Sequence, residues 1–519
     1  MASGPVGKET LAWRIEIADE SETQALAERV AGWLRPGDGV ALSGDLGVGK
    51  TSFARALIRA ITGEADLETP SPTFTIVQSY ESPKARILHA DFYRLRSPVE
   101  LENLGWGEMQ DGAISVIEWP ERASEASPAD SIHIRLEFEG SHDRRRVATI
   151  VGGGAHSARV AKERAVIELL HGAKWAKAER QPLHGDASAR SYERLIADDG
   201  ETAILMSSPA RADGPPVRYG KSYATIAKIT TTIGPFLAMT EGLRALRYSV
   251  PKILAADAGS GLALLEDFGD ETIAGKNGPK SDRYAEAAAL LGDLHGRSLP
   301  ESVEYDGFTH VIPTYDIDAM SIEVELALDW YAPSVAGVVV SSGVRAQFLS
   351  LWRERLEGAL KADRTWCLRD YHSPNIHWLE KRDGIRRLGL IDYQDTVWGP
   401  MSYDLASLLQ DARVDLPSGQ ELRLLAAYLR RRSMTTPGFD QAQFLASYAL
   451  MGAQRATKIL GGFARSDRRD GKSQYLKHLP RIEKTLAKNL SHPSLQPLLA
   501  WFETHLPHAI GLANVADAD

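Results

Sequence analysis

The segment LRDYHSPNIHWL, residues 368–379, carries a carboxylate and a carboxamide five positions apart, Asp370 and Asn375. Asp370 can take a proton from a hydroxyl, and Asn375 can offer an oxygen to a metal ion. Seventeen residues beyond Asn375, the apolar run LGLI leads into a further carboxylate, Asp392. Some three hundred residues earlier the chain reads GDLGVGKTS, which fits G-x-x-x-x-G-K-[ST] at Gly44, Gly49, Lys50 and Thr51. Glycines in such a loop let the backbone take positive φ and approach an anion closely. The loop of Gly44, Asp45, Leu46, Gly47, Val48, Gly49, Lys50, Thr51 and Ser52 is expected to bind ATP. Lys50 would reach the β- and γ-phosphates and Thr51 would face Mg²⁺. One chain thus carries two unlike devices for moving phosphate, and both call for ATP and Mg²⁺.

The elements that must hold these residues follow from periodicity. LAWRIEI alternates as a half-buried strand does. SETQALAERVAGWL places Leu26, Val30 and Trp33 on one helical face, with Ser21 and Gln24 at capping-box spacing. VALSG before the phosphate loop reads as a buried strand and TSFARALIRAI after it as a helix. RILHADFY and AISVIEW are further strands. Interleaved strands and helices predict a mainly parallel α/β sheet. VGGGAHS interrupts the pattern with three successive glycines, so a P-loop NTPase domain is expected over 1–151 and a linker over 152–157. A strand-rich part followed by a helical part, α+β in character, is expected over 158–506, and a tail over 507–519.

The whole chain has 519 residues, 43% hydrophobic and 25% charged, as in ordinary globular proteins of more than one domain. The net charge is −9, and the basic runs Arg144–Arg146 and Arg430–Arg432 are short. No footprint for strong direct nucleic-acid binding is present. Cys367 is the sole cysteine, so an internal disulfide is excluded; a buried structural thiol is expected. No apolar run has the length of a membrane span, and a cytoplasmic protein without membrane contact is expected.

The first device needs a second metal anchor, and by position either Asp91 or Glu118 can supply it. SPTFTIVQSY, HADFYRL and VIEWPER, in this order behind the phosphate loop, resemble the small ATPase family of bacterial tRNA threonylcarbamoyladenosine synthesis over about residues 10–150. The resemblance implies Thr51 and Glu118 as Mg²⁺ ligands and Asp91 as the residue that orients the attacking water. It makes Ser71, Pro72 and Thr73 a nucleotide-sensing loop. It also implies as partners a threonylcarbamoyl transferase subunit and its partner protein, with tRNA met only indirectly. Trp119 is either part of this site or simple packing.

The second device has the layout of protein-kinase-like phosphotransferases: a catalytic loop, a short hairpin, then a strand bearing a carboxylate. Asp370 would be the base, with Asn375 and Asp392 holding Mg²⁺. LHGDASARSYERL offers Gly185 and Ser188 to a loop over the phosphates, and LALLEDFGD a hinge at Glu266 and Asp267 for adenine. Asp404, in GPMSYDLASLLQD, reads as a brace for the catalytic loop. From GDAS to YLKHLPRIEKTLAKNL the chain resembles the aminoglycoside-phosphotransferase-like anomeric kinases for N-acetylmuramate and N-acetylglucosamine. That implies a two-lobed fold, an amino sugar substrate and a role in cell-wall recycling. The pattern departs at Leu368, where protein kinases mostly have His, and at Met206, near the place of the phosphate-pairing lysine. Arg190, Arg194 and Lys221 are the available substitutes. Glu325 and Asp329 are candidates for sugar hydroxyls or for a solvated face, and Arg455 and Lys458 for an acidic sugar. Three other readings stay open: a different small alcohol or aminoglycoside as substrate, a non-catalytic second half that regulates the ATPase, and a first half that switches without turnover.

Overall fold

The computed structural model describes residues 12–97, 99–123, 130–140, 145–183, 190–275, 278–360 and 364–512. The chain divides into two compact units, Met1–His171 and Gly172–Asp519. In the first, seven strands form one sheet: β1 (Trp13–Ile17), β2 (Gly39–Ser43), β3 (Val77–Tyr80), β4 (Ile87–Asp91), β5 (Ile114–Glu118), β6 (Ser131–Phe138) and β7 (Arg146–Gly152). Their order is β1-β7-β6-β2-β5-β4-β3. The inner run β6-β2-β5-β4 is parallel and the outer pairs are antiparallel. Strands β2, β4 and β5 are buried along nearly their whole length, as parallel strands covered on both faces must be. Their carboxyl ends place Ser43, Asp91 and Glu118 side by side.

Helix α1 (Glu20–Trp33) starts two residues earlier than a cap at Ser21 would allow. Asp19 is the cap, its carboxylate accepting from the Glu22 amide at 3.1 Å, while the Ser21 hydroxyl donates to the same carboxylate. Helix α2 (Lys50–Thr62) follows the phosphate loop directly and buries Phe53, Leu57, Ile58 and Ile61 against the sheet. The expected linker at 152–157 lies inside this unit. β7 runs through Gly152, and the helix His156–Gly172 folds back onto the same core with Val160. Arg159 fastens it, donating to the Trp33 carbonyl at 2.8 Å and to Asp38 at 2.5 Å. A Cβ at Gly152 would fall 2.6 Å from the His156 backbone, so the glycine there serves a tight turn and not a flexible joint.

The second unit has a five-stranded antiparallel sheet of β8 (Glu179–Leu183), β9 (Ser191–Ile196), β10 (Thr202–Ser207) and the hairpin Ile253–Asp257/Leu262–Glu266. A helical lobe follows, with its own core of Phe348, Trp352, Leu460, Trp501 and Phe502 among others. The helix Ile317–Leu326 widens into a π-helical turn at Ala327–Tyr331, and the 30-residue helix Gln441–Asp470 crosses it. At the crossing a Cβ on Gly461 would fall 2.1 Å from the Leu326 carbonyl carbon, so backbone meets backbone. No described helix is long and apolar enough to cross a membrane.

Candidate active sites

The first site sits where β2, β4 and β5 end. Gly44, Gly47 and Gly49 all have positive φ, and a Cβ on Gly44 would lie 2.1 Å from the Leu136 carbonyl oxygen. Glycine is therefore required at that turn by space as well as by dihedral. The Lys50 ammonium donates to the carbonyls of Gly44 and Asp45 at 2.7 and 2.8 Å, and lies 3.6 Å from the centre of the Trp119 ring. Burial pushes Lys50 below the usual lysine range, against the pull of Glu118, Glu121, Asp91 and Asp45. Lys50 thus waits inside the loop on neutral partners, which an anion would outcompete.

Glu118 and Asp91 take different roles. The Thr51 hydroxyl donates to Glu118 Oε2 at 2.8 Å, bringing together two hard oxygens of the kind Mg²⁺ prefers. The other Glu118 oxygen lies 2.9 Å from His89 Nε2, fully buried on the preceding strand. Asp91 accepts from the hydroxyls of Ser71 and Thr73 at 2.8 and 2.7 Å, and from the Tyr93 amide at 2.9 Å. The carboxylate at the end of β4 is therefore joined to the Ser71–Thr73 loop, and the one at the end of β5 to the phosphate loop.

In the second unit Asp370, Asn375 and Asp392 converge. Asn375 Nδ2 donates to the Asp370 carbonyl at 3.0 Å and to Asp392 Oδ2 at 3.4 Å. Its Oδ1 keeps no partner among the described residues, so Asn375 and Asp392 fit a magnesium site of oxygen donors completed by phosphate. Arg369 and Asp392 both have φ near +60°, uncommon for residues with a Cβ and typical of functional turns. Asp404 braces the loop, accepting from the amides of Leu368 and Arg369 at 2.6 and 2.9 Å. Burial raises Asp404 to about 7, although both amides favour its charged form. Burial also works to raise Asp370, but His372, Lys458, Arg455 and Arg369 outweigh it and hold the carboxyl below its ordinary value. Its side chain remains 38% exposed, open to an acceptor. Asp392 moves upward, through burial and then repulsion by Asp370, with Arg190 opposing.

A cleft of about 550 Å³ adjoins these residues, lined by Ile204, Met206, Phe236, Leu265, Phe268 and Ile391 on its apolar side. Arg190, Glu266, Asp267, Asn375 and Asp392 supply its polar side. Met206 is buried on β10 opposite Tyr192, and no lysine replaces it there. Arg190 Nη1 instead lies 2.7 Å from Asp392 Oδ1. Arg194 is held by Asp267 and Asp270, 2.7 and 2.8 Å away, and Lys221 is exposed on a two-strand hairpin. Glu325 and Asp329 are both engaged in ion pairs. Arg345 pairs with both, and Arg218 reaches Glu325 at 2.5 Å. Cys367 is buried, and burial pushes its thiol up, away from reactivity. Gly185 and Ser188 lie outside the described residues.

Sequence patterns alone left several partners unseen. His89 was within reach, since it stands two residues before Asp91 on β4 and so shares its face. Arg146, which donates to the Val48 carbonyl at 2.6 Å, comes from the start of β7, 98 residues further along the chain. Glu323 gave no signal at all. It is fully buried and gathers Arg369, Lys458, Gln454 and Tyr315.

The sequence matches the family described as threonylcarbamoyl adenosine biosynthesis protein TsaE over residues 17–147, and the phosphotransferase enzyme family over residues 179–445. The N-acetylmuramate/N-acetylglucosamine kinase of Caulobacter vibrioides is 34% identical over 360 residues, 67% of this chain and 97% of that protein. Its namesake from Pseudomonas aeruginosa is 29% identical, covering 64% of this chain and 92% of its own length. The tRNA threonylcarbamoyladenosine biosynthesis protein TsaE of Rickettsia bellii is 42% identical over 122 residues, 24% of this chain and 84% of that protein.

Proposed function

From a chain that belongs to the TsaE family in its first part and to the phosphotransferase enzyme family in its second, we propose two separate ATP-consuming activities, each confined to its own unit. The first is an ATPase that supports threonylcarbamoyladenosine formation in tRNA. The second phosphorylates the anomeric hydroxyl of N-acetylmuramate or N-acetylglucosamine. The convergence of Asp370, Asn375 and Asp392 beside an apolar cleft carries the kinase reading, because a scaffold without turnover has no need of all three.

In the ATPase the loop from Gly44 to Ser52 holds the phosphates, and Lys50 leaves its two carbonyl partners for them. Thr51 and Glu118 hold Mg²⁺, which supplies charge neutralisation at the phosphates. Asp91, aligned by Ser71 and Thr73, orients the attacking water. In the kinase Asp370 takes the proton of the sugar hydroxyl as that oxygen bonds to the γ-phosphorus and the β–γ bridging P–O bond breaks. Asn375 and Asp392 are the metal ligands. Arg190 stands in for the missing lysine, because it lines the cleft beside Asp392, whereas Arg194 is committed to two carboxylates and Lys221 does not line the cleft. Glu266 borders the adenine end, and Gly185 and Ser188 belong to the loop over the phosphates.

The functional modules follow the packing, with the helix His156–Gly172 belonging to the ATPase. Transferase partners present the tRNA, in keeping with a net charge of −9. Both activities draw on ATP, and we place the protein in the cytoplasm. Purified Lys50→Ala protein, given ATP, Mg²⁺ and N-acetylmuramate, is expected to form sugar 1-phosphate by ³¹P NMR. The signal should vanish in the Lys50→Ala/Asp370→Asn double variant; product surviving there would remove Asp370 from the chemistry. For the ATPase, turnover should rise on adding a threonylcarbamoyl transferase with its partner, and should be lost with Lys50→Ala.

A further inference from the structure

The helix Gln441–Asp470 presents Gln454 and Arg455, and Lys458 one turn on, close to the catalytic loop. Two of the three are anchored on one carboxylate. Gln454 Nε2 donates to Glu323 Oε2 at 3.0 Å, and Lys458 Nζ lies 2.9 Å from Glu323 Oε1. Arg369, next to the base, reaches that same Oε1. A single negative charge already serves two cations there.

Arg455 is the exception. It is only 5% exposed, its Nε is buried without an acceptor, and its side chain makes no ion pair or hydrogen bond among the described residues. Carboxylates nearby are committed elsewhere. Asp404 holds the Leu368 and Arg369 amides, Asp411 holds the Ser373 amide and hydroxyl, and Glu323 holds its two cations. A buried guanidinium without a partner is costly, and an anion arriving with a ligand would relieve that cost. The position of Arg455 says which ligand. Its helix neighbours Gln454 and Lys458 share Glu323 with Arg369, the residue next to the base, yet Arg455 is not among the residues lining the nucleotide cleft. An anion that arrives with the acceptor, and not with the nucleotide, is thus the one left for it.

We propose that Arg455, backed by Lys458, binds a carboxylate on the acceptor sugar and so favours an acidic amino sugar over its neutral analogue. The proposal rests on the sugar-kinase reading above. N-acetylmuramate differs from N-acetylglucosamine by a lactyl ether on the third ring carbon, whose carboxylate is ionised at neutral pH. That group is two carbons from the hydroxyl facing Asp370. Arginine suits it, since a planar fork pairs two N–H donors with two carboxylate oxygens.

The experiment compares kcat/KM for both sugars in the unsubstituted protein, Arg455→Gln and Arg455→Lys, following sugar 1-phosphate directly. The ratio for N-acetylmuramate over N-acetylglucosamine should fall by about 30-fold or more in Arg455→Gln, chiefly through KM for the acid. Arg455→Lys should recover part of it. Equal losses on the two sugars would overturn the assignment while leaving the kinase standing. No turnover of either sugar by the unsubstituted protein would overturn the sugar-kinase reading and this proposal together. A measurement without variants covers the case where they fail to fold. N-acetylmuramate should bind the unsubstituted protein at least about tenfold more tightly than its methyl ester by calorimetry; equal affinities would overturn the assignment.

Discussion

Arg190 and Asp392 form the contact on which the kinase site most depends for its charge balance. Burial and Asp370 both press Asp392 toward its neutral form, and the guanidinium 2.7 Å away opposes them. If Arg190 also meets the phosphates, Arg190→Met should raise KM for ATP and lower kcat of the kinase by about 10². Steady-state kinetics with ATP varied would test this, and unchanged values would remove Arg190 from the phosphates. At the first site Asp91 differs from Glu118 in its partners, two hydroxyls and an amide against one hydroxyl and a histidine. Asp91→Asn should therefore spare nucleotide affinity more than turnover, whereas Glu118→Gln should weaken the magnesium dependence of binding. Fluorescent-nucleotide titrations with and without Mg²⁺ distinguish the two.

Two helices of the second unit meet at points where their elements cannot adjust. Glu323 lies on the helix Ile317–Leu326, and its partners come from the catalytic loop and from the helix Gln441–Asp470. Glu323→Gln leaves Arg369 buried beside a neutral group, and unfolding in urea should show a loss of about 3–5 kcal/mol. A loss under about 1 kcal/mol would mean that water reaches the cluster. Three residues beyond Lys458, Gly461 lets the same helices touch backbone to backbone. The Leu326 carbonyl cannot turn aside as a side chain could, so Gly461→Ala should cost about 1–3 kcal/mol. It would also shift Lys458 relative to Asp370, and the kinase kcat should fall with it.

Over the whole molecule, pH acts through buried imidazoles. His295 is held to about 3, because burial and the Arg432 charge disfavour the cation, and His372 is held to about 4. In the unfolded chain His295 titrates at its ordinary 6.5. Below that pH the unfolded state takes a proton that the folded state refuses, so stability falls as pH drops from 6.5 toward 3. For His295 alone the loss between about pH 7.5 and about pH 5 is about 2 kcal/mol. Urea unfolding of the second unit's transition at the two pH values should show this difference, and His295→Gln should reduce it. An undiminished difference in the variant would assign the acid sensitivity to other groups.

Short-range chemistry was legible in the chain itself. The phosphate loop, the spacing of Asp370 and Asn375, and the strand that carries Asp392 are written within a few residues each, because a turn or strand end is specified by its own neighbours. The existence of β4 and β5 as strands likewise followed from local pattern. What pattern cannot say is which surface an element covers. The helix His156–Gly172 is readable as a helix, but its attachment to the first core depends on Val160 and Arg159 finding partners more than a hundred residues back in sequence. The same holds for Thr51 with Glu118, 67 residues apart, and for Arg190 with Asp392, 202 apart. Asp19 in place of Ser21 as a cap was a two-residue misplacement of a correct element, since several acceptors compete at a helix start. Sequence thus determined the reacting groups and the two kinds of phosphate chemistry. Only the tertiary structure decided their partners, the committed Glu323 and the uncommitted Arg455, because burial and pairing are properties of chain segments brought together from far apart.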